Sequence, residues 1–172
     1  MVEVRRLTAA QGRLHVSALA AVLLDCVQGG ASVSFMAELT SSEAEHFFAG
    51  ALAEVEQGQR VLLAAFAGTQ LVGTVQVQLA TPQNQPHRAD VAKLLVARAA
   101  RSQGVGAQLM RAAEDAAREA GKSLLVLDTV AGESGEKLYR RLGWTAAGVI
   151  PRYALFPDGR WCDAVIFWKW IE

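Results

Sequence analysis

The sequence predicts one domain of the α/β (α+β) class over residues 1–172, built on a mixed sheet of about seven strands with four flanking helices. Its length suits a single domain, and 52% of its residues are hydrophobic, which is enough to form a core. The spacing of apolar residues then changes along the chain between strand and helix periods, in the order β-α-α-β-β-β-α-β-α-β-β.

The first third of the chain predicts one strand and two helices. Apolar residues at positions 2, 4 and 7 alternate with charged ones, which favours a short first strand. An amphipathic run follows and stops near Gly29-Gly30, as helices commonly do at glycine. A second helix opens at Ser41 or Ser42, whose hydroxyls make them candidate N-caps.

The middle of the chain predicts a hairpin and then a fourth strand. Residues 60–67 are nearly all apolar, and residues 71–79 alternate, with Gly68-Thr69-Gln70 as the turn between them. Residues 81–87 contain two prolines and form a loop, after which residues 89–96 favour the fourth strand.

The last third alternates helices and strands. Helices are predicted at residues 106–120 and 133–142, each followed by a glycine, and strands at residues 123–129, 145–150 and 163–170. A Pro157-Asp158-Gly159 turn separates the last two strands.

Composition excludes several classes of protein. Seventeen basic residues balance seventeen acidic ones, so no overall field would recruit nucleic acid or an acidic membrane. Cys26 and Cys162 are too far apart to form a metal-spaced cluster or a disulfide framework, and the three histidines share no motif. No apolar run approaches the roughly 20 residues that span a bilayer. We expect a cytoplasmic protein without a metal site.

The segment Arg101-Ser102-Gln103-Gly104-Val105-Gly106-Ala107, called the glycine loop below, lies between an apolar strand and an amphipathic helix. Unpaired N–H groups at a helix start attract anions, and glycines let a diphosphate approach them. A dinucleotide fingerprint would need glycine where Leu109 stands, and a P-loop ending at Lys122 would need glycine at Ala116. A plain tight turn is the alternative, and Arg101 favours the anion site because its cation can face the same phosphate.

Arg101, Gly104 and Gly106 fit the motif Arg/Gln-x-x-Gly-x-Gly/Ala after a fourth strand, and here the sequence resembles the GCN5-related N-acetyltransferase (GNAT) superfamily over almost its whole length. The resemblance implies an acetyl-CoA cleft where strands four and five splay apart. The backbone of Leu94, Leu95 and Val96 would pair with the pantetheine arm. Amides from Gln103 through Ala107 would hold the diphosphate.

Shorter segments resemble the tabtoxin-resistance acetyltransferases, which acetylate a β-lactam amino-acid toxin. These segments are GGASVSFM at 29–36, RADVAKLLV at 88–96, Leu-Asp-Thr at 127–129, Ala-Gly at 131–132 and Pro-Asp-Gly-Arg at 157–160. Relatives can share such segments and differ in substrate. The resemblance implies direct acetyl transfer to a small primary amine, with toxin resistance as one role.

Acetyl transfer to an amine needs a group that takes the ammonium proton and a group that serves the departing thiolate. Asp128 ends the apolar run Leu124–Leu127, at the edge where α/β sheets place their sites, which favours a catalytic role. Asp90 is the second candidate, although an ion pair with Arg88 or a solvated position would also explain it. The resembled family has a glutamate at the position of Asp90, so the shorter aspartate leaves more of the work to Asp128.

Tyr139 lies in the helix after Asp128, where the GNAT resemblance implies a tyrosine that protonates the thiolate. The alternative is a core aromatic beside Leu138 and Leu142, which share its helical face.

The acceptor side rests on the same resemblance. One wall of the pocket would contain Ser32, Ser34 and Phe35, and the other Tyr153 and Arg160 after the sixth strand. Arg160 would suit an acceptor carboxylate, although a surface arginine in a hairpin is an equally simple interpretation.

Three alternatives remain open from the sequence. Within enzymes, the acceptor could be a protein N-terminus or a polyamine. Outside enzymes, the chain could be a catalytically silent acyl-CoA sensor, against which the presence of Asp128 and Tyr139 counts. The resemblance also leaves a homodimer open.

Overall fold

The computed structural model describes residues 2–171 and contains a seven-stranded sheet in the order β1-β2-β3-β4-β5-β7-β6. The strands are β1 (Val2–Leu7), β2 (Arg60–Ala67), β3 (Gln70–Gln78), β4 (Arg88–Val96), β5 (Leu124–Val130), β6 (Thr145–Leu155) and β7 (Trp161–Trp170). The helices are α1 (Ala9–Leu14), α2 (Val16–Gln28), α3 (Ser41–Glu56), α4 (Val105–Glu119) and α5 (Ser134–Arg141). The predicted mixed sheet with helices on its faces is confirmed.

Two hydrophobic cores form on opposite faces of the sheet. One packs α4 and the α5 region against the sheet and contains Leu109, Met110 and Phe167. The other packs α2 and α3 against the sheet and contains Leu23, Phe48 and Leu62. Because side chains alternate along a strand, neighbouring residues of β2 enter different cores. None of the helices in residues 2–171 is long and apolar enough to cross a membrane.

The helices differ in detail from the prediction. His15 interrupts the predicted first helix, so α1 and α2 are separate, and there are five helices instead of four. The predicted N-cap at Ser41 or Ser42 is wrong, because Thr40 caps α3. The Thr40 hydroxyl accepts the Glu43 amide N–H at 3.3 Å, and the Glu43 carboxylate accepts the Thr40 N–H at 2.8 Å. This reciprocal pairing is a capping box, which satisfies two backbone N–H groups at the start of the helix.

Strands β6 and β7 are longer than predicted and form a hairpin with a short turn. Between the pairs Ile150–Ala164 and Ala154–Cys162, β6 contains two more residues than β7. The extra residues bulge outward, with Arg152 at φ +51° and its N–H donated to the Asp163 carboxylate at 2.8 Å. Pro151 and this bulge interrupt the alternation of apolar and polar residues by which a strand is predicted. The prediction for β6 therefore ended at residue 150, whereas the strand continues to Leu155.

Strand β4 determines where the site can form. It is parallel to β5 but pairs with it only at Arg88–Leu124, Ala89–Leu125 and Asp90–Val126. Beyond Asp90 the two strands separate, and β5 continues in its pairing with β7 as far as Val130. On its other edge, β4 stays paired with β3 up to the Gly73–Val96 pair. The sheet is therefore open between the second half of β4 and the end of β5, as the GNAT resemblance implies.

Candidate active site

The glycine loop connects β4 to α4 and presents its backbone amides to open space. Ser102 has φ +61° and Gly104 has φ +80°, two left-handed residues that turn successive N–H groups toward one side. None of the amides of residues 102–107 donates to an acceptor within residues 2–171, whereas the Gln108 amide donates to the Gly104 carbonyl at 3.1 Å. No atom lies within 4 Å of a Cβ added at Gly104. The loop thus fits a diphosphate group at the positive end of α4.

Gly106 and Arg101 make contacts within the protein, although the motif predicts that they serve the phosphate. A Cβ at Gly106 would lie 3.2 Å from the Leu138 side chain, so this glycine allows α4 to pack against α5. The Arg101 Nε–H donates to the Val96 carbonyl at 3.1 Å, and a terminal nitrogen lies 3.7 Å from the Cys26 sulfur. Its cation therefore points toward the end of β4, and the predicted phosphate contact stays a prediction.

The free edge of β4 fits the pantetheine arm expected there. Leu95 and Val96 pair with Thr74 and Gly73 of β3 on one side. On the other side, residues 91–96 have no β5 partner. Apart from the Val96 carbonyl, which already accepts from Arg101, backbone groups on this edge are available to an extended ligand, which would join the sheet as an added strand.

A cavity of about 360 Å³ lies beside this opening, on the sheet face that α2 and α3 cover only in part. We call it the carboxylate cavity, and its lining residues are Gln78, Asp90, Val91, Ala92, Val126, Leu127, Asp128, Tyr153 and Ile166. Three predicted site residues meet here: Asp90, Asp128 and Tyr153. They come from three different strands, which the topology brings together.

The two carboxylates of the cavity have different environments. Asp90 is half-buried and forms an ion pair with Arg88 at 3.0 Å. Asp128 is exposed and has no ion pair within 4 Å among residues 2–171. It follows the last buried residue of β5, Leu127, so its side chain is solvated and unpaired at the end of the apolar run. Of the two, Asp128 is the more accessible proton acceptor.

Tyr139 is a core aromatic and is not among the residues that line the carboxylate cavity. It is 6% exposed, and its ring lies 5.9 Å from the rings of Trp144 and Phe167. Burial raises the pKa of Tyr139 well above its usual value, and the negative charge of Asp128 raises this pKa further.

The segment between α2 and α3 contacts two strands. The Ser32 hydroxyl donates to the Leu155 carbonyl at 2.6 Å, which ties this segment to β6. The Ser34 hydroxyl accepts from Lys93 at 2.8 Å, and Phe35 packs edge-to-face on Phe47 at 5.3 Å. These three predicted residues lie outside the cavity lining.

Arg160 does not line the carboxylate cavity. It lies in the β6–β7 turn, where its Nε–H donates to Asp158 at 2.8 Å and its guanidinium stacks 5.0 Å from the Phe156 ring centre. Tyr153 lies within β6 and not after it, and does line the cavity. The sequence analysis missed Lys93, for which the only signal was a lysine inside the apolar strand RADVAKLLV.

No cluster of three or more metal-ligating side chains occurs in the part of the chain that the structure describes. Cys26 and Cys162 are both buried and free.

Comparison with known proteins gives a family and a fold. The model of the acetyltransferase (GNAT) family matches residues 29–144, which is more than half of the chain. This match includes the whole glycine loop, β4, β5 and α5, and therefore most of the site described above.

Solved structures share the fold at low sequence identity. The acetyltransferase YncA from Salmonella typhimurium, solved with acetyl-CoA, is 17% identical with a TM-score of 0.80, over 99% of this chain and 94% of that chain. The ribosomal-protein-alanine N-acetyltransferase from Brucella melitensis is 22% identical with a TM-score of 0.80, over 98% and 99%. A structure assigned as a phosphinothricin N-acetyltransferase is 18% identical with a TM-score of 0.82, over 100% and 99%. With the family match and the open cleft beside the glycine loop, the chain belongs to the GNAT family and is an acetyltransferase whose acetyl donor is acetyl-CoA.

Proposed function

We propose that this enzyme transfers the acetyl group directly to a small primary amine that resembles an amino acid, with a tabtoxin-like toxin as one candidate. One observation carries the proposal: two carboxylates, Asp90 and Asp128, line a single cavity at the opening between β4 and β5. A cavity of about 360 Å³ suits a small molecule, and the paired carboxylates suit an acceptor that arrives as an ammonium ion.

Asp128 is the proposed general base. An amine is mostly protonated near neutral pH and must lose a proton before it can attack a carbonyl carbon. Asp128 is exposed and has no ion pair within 4 Å in residues 2–171, so a proton bound there displaces no existing partner. Asp90 keeps its ion pair with Arg88 and acts mainly by holding the ammonium in place.

Bound acetyl-CoA would supply an activated acyl carbon and a thiolate leaving group. Tyr139 is proposed to donate a hydrogen bond to the sulfur. Burial keeps its phenol protonated, because its pKa lies well above the usual value. Since a thiol has a pKa near 8.5, full proton transfer from such a phenol is uphill, and Tyr139 stabilises the leaving group mainly as a donor.

The acetyl-CoA contacts are proposed from the fit of two backbone features. The amides of the glycine loop would bind the diphosphate, and the free edge of residues 94–96 would pair with the pantetheine arm. Both are features of the main chain, so this part of the site tolerates many side chains.

A purified-protein assay tests the proposal. The protein, acetyl-CoA and single amines are mixed, free CoA thiol is measured, and the acetylated amine is identified by mass. The panel contains amino acids, a tabtoxin-like β-lactam amino acid, a polyamine and a peptide with a free N-terminus. We expect the amino acids to accelerate thiol release above the rate without amine.

Other outcomes separate the alternatives. Acceleration only by the polyamine or only by the peptide would contradict the proposed acceptor class. A catalytically silent sensor would bind acetyl-CoA and release no thiol with any member of the panel.

A further inference from the structure

Lys93 occupies an unusual backbone position next to the carboxylate cavity. Thr74 pairs with Leu95 and Gln76 pairs with Ala92, so Lys93 and Leu94 together lie opposite one residue of β3. Lys93 has φ +52°, a left-handed conformation that is rare for a residue with a side chain. This bulge turns the Lys93 side chain toward α3 and the α2–α3 segment. The residue before it in β4, Ala92, lines the carboxylate cavity.

The surroundings of the Lys93 ammonium contain no counter-ion at contact distance. Its Nζ donates to the Ser34 hydroxyl at 2.8 Å and lies 5.8 Å from the centre of the Phe47 ring. Within residues 2–171, no carboxylate lies within 4 Å of it. Burial lowers the pKa of Lys93, the negative charge of Asp128 acts in the opposite direction, and the positive charge of Arg60 lowers the pKa further.

Three other basic side chains already have acidic partners. Arg88 is paired with Asp90 at 3.0 Å, and Arg60 with Glu54 at 2.7 Å. Arg160, which the sequence favoured as a carboxylate ligand, is paired with Asp158 at 2.8 Å. A half-buried ammonium that lacks an anion is costly, and a ligand anion would remove that cost.

We propose that Lys93, assisted by the Ser34 hydroxyl, binds the carboxylate of the acceptor and makes the enzyme selective for amines that carry one. This inference rests on the proposed function, because it takes the acceptor to be a zwitterionic amino acid and assigns its ammonium and its carboxylate to different side chains. The ammonium faces Asp90 and Asp128, and the carboxylate faces Lys93. A polyamine would instead bring a second cation toward Lys93 and be repelled.

The test compares matched acceptors with and without the carboxylate: ornithine with putrescine, methionine with 3-(methylthio)propylamine, and phenylalanine with phenethylamine. For wild type, we expect the ratio of kcat/KM within at least one pair to favour the amino acid. In Lys93→Gln this ratio should fall about tenfold to a hundredfold, the range of a lost charge-assisted hydrogen bond. The change should be mainly in KM for the amino acid, with kcat and the affinity for acetyl-CoA retained.

Three further variants sharpen the result. Lys93→Arg should restore part of the preference, because it restores the positive charge. Arg13→Gln is the control: it removes one charge from an exposed ion pair between Arg13 of α1 and Glu56 of α3, and it should leave the ratio unchanged. If Arg160→Gln abolishes the preference and Lys93→Gln does not, the inference is overturned and the carboxylate binds in the β6–β7 turn.

The remaining outcomes distinguish this inference from the proposed function. Acetylation of both members of each pair at equal rates would leave the proposed function intact and overturn the role of Lys93. Failure of wild type to acetylate any of the six amines or the tabtoxin-like β-lactam amino acid, with acetyl-CoA still bound, would contradict the proposed function, and this inference with it.

Discussion

The glycine loop and the carboxylate cavity lie on either side of the opening between β4 and β5 and are built in different ways. The loop is seven consecutive residues, and its binding groups are backbone amides that no acceptor in residues 2–171 occupies. The cavity takes its functional groups from side chains of β4, β5 and β6, which are far apart in the chain. The loop is thus a local conformation of the chain, whereas the cavity exists only because the order of strands in the sheet brings these side chains together.

Because of this difference, the loop and the cavity should recognise different kinds of ligand. Amides at a helix start bind a phosphate whatever the neighbouring side chains are, so the loop suits a donor that many related enzymes share. Side chains in a cavity can be exchanged singly without changing the sheet. Specificity for the acceptor should therefore depend on the cavity and its rim, and affinity for acetyl-CoA on the loop. Each of the following experiments should change one region and leave the other unaffected.

The largest effect is expected for Asp128→Asn. Loss of the general base should lower kcat by about a hundredfold to ten-thousandfold, because the acceptor then keeps its proton. Affinity for acetyl-CoA should stay at the wild-type value, since the glycine loop is unchanged. Steady-state kinetics and calorimetric titration with acetyl-CoA measure the two quantities.

Asp90→Asn provides the comparison within the cavity. Its effect on kcat should be smaller than that of Asp128→Asn, because the Asp90 carboxylate is already engaged in the ion pair with Arg88 and is proposed to hold the ammonium. Wild-type turnover in Asp128→Asn would show that Asp128 is not the base.

A smaller effect, on the affinity for acetyl-CoA, is expected for Gly104→Val in the glycine loop. Gly104 has φ +80°, where a valine is strained by about 1–2 kcal/mol, and its side chain would fill the space above the amides. We expect the affinity for acetyl-CoA to fall about tenfold to a hundredfold, as charge-assisted N–H bonds are lost.

Gly121→Val at the other end of α4 is the matched control. Gly121 has φ +73°, and a Cβ added there would meet no atom within 4 Å, so a valine carries the same strain away from the ligand. Both variants should lose similar unfolding free energy in urea denaturation, and only Gly104→Val should bind acetyl-CoA more weakly. Equal affinity in both variants would mean that the loop does not hold the diphosphate.

The smallest effect is expected for Tyr139→Phe, a change at a buried residue of α5 that belongs to neither region. The ring contacts with Trp144 and Phe167 remain, so stability should be nearly unchanged, while loss of one hydrogen bond should lower kcat about tenfold. Because burial and Asp128 raise the pKa of Tyr139 above its ordinary value of 10.0, the phenol stays protonated at pH 10. Its contribution is lost only as pH rises through that raised pKa.

The ratio of wild-type to Tyr139→Phe turnover should therefore be constant from pH 7 to about pH 10. A ratio that shrinks toward 1 well below pH 10 would contradict a protonated Tyr139 as the donor.

Sequence reading predicted the sheet, the order of elements and the glycine loop because each depends on local patterns. It failed where tertiary contacts override the pattern. The β6 strand continues through a bulge that Asp163 stabilises from β7, and no local pattern reports that contact. Arg160, which the resemblance placed at the acceptor pocket with a surface arginine as the alternative, pairs with Asp158 outside the carboxylate cavity, and only the tertiary structure shows the contact of Lys93 with Ser34.

What the sequence determined by itself is the conformation of the glycine loop, the proposed donor site, since glycines at 104 and 106 set its backbone conformation and packing through their own lack of a side chain. What only the tertiary structure decided is the carboxylate cavity, the proposed acceptor site. Asp90, Asp128 and Tyr153 line one cavity because β4 and β5 diverge and β6 folds back beyond β7. Those features arise from pairing between distant segments, and the energy of such pairing is not contained in any single stretch of the chain.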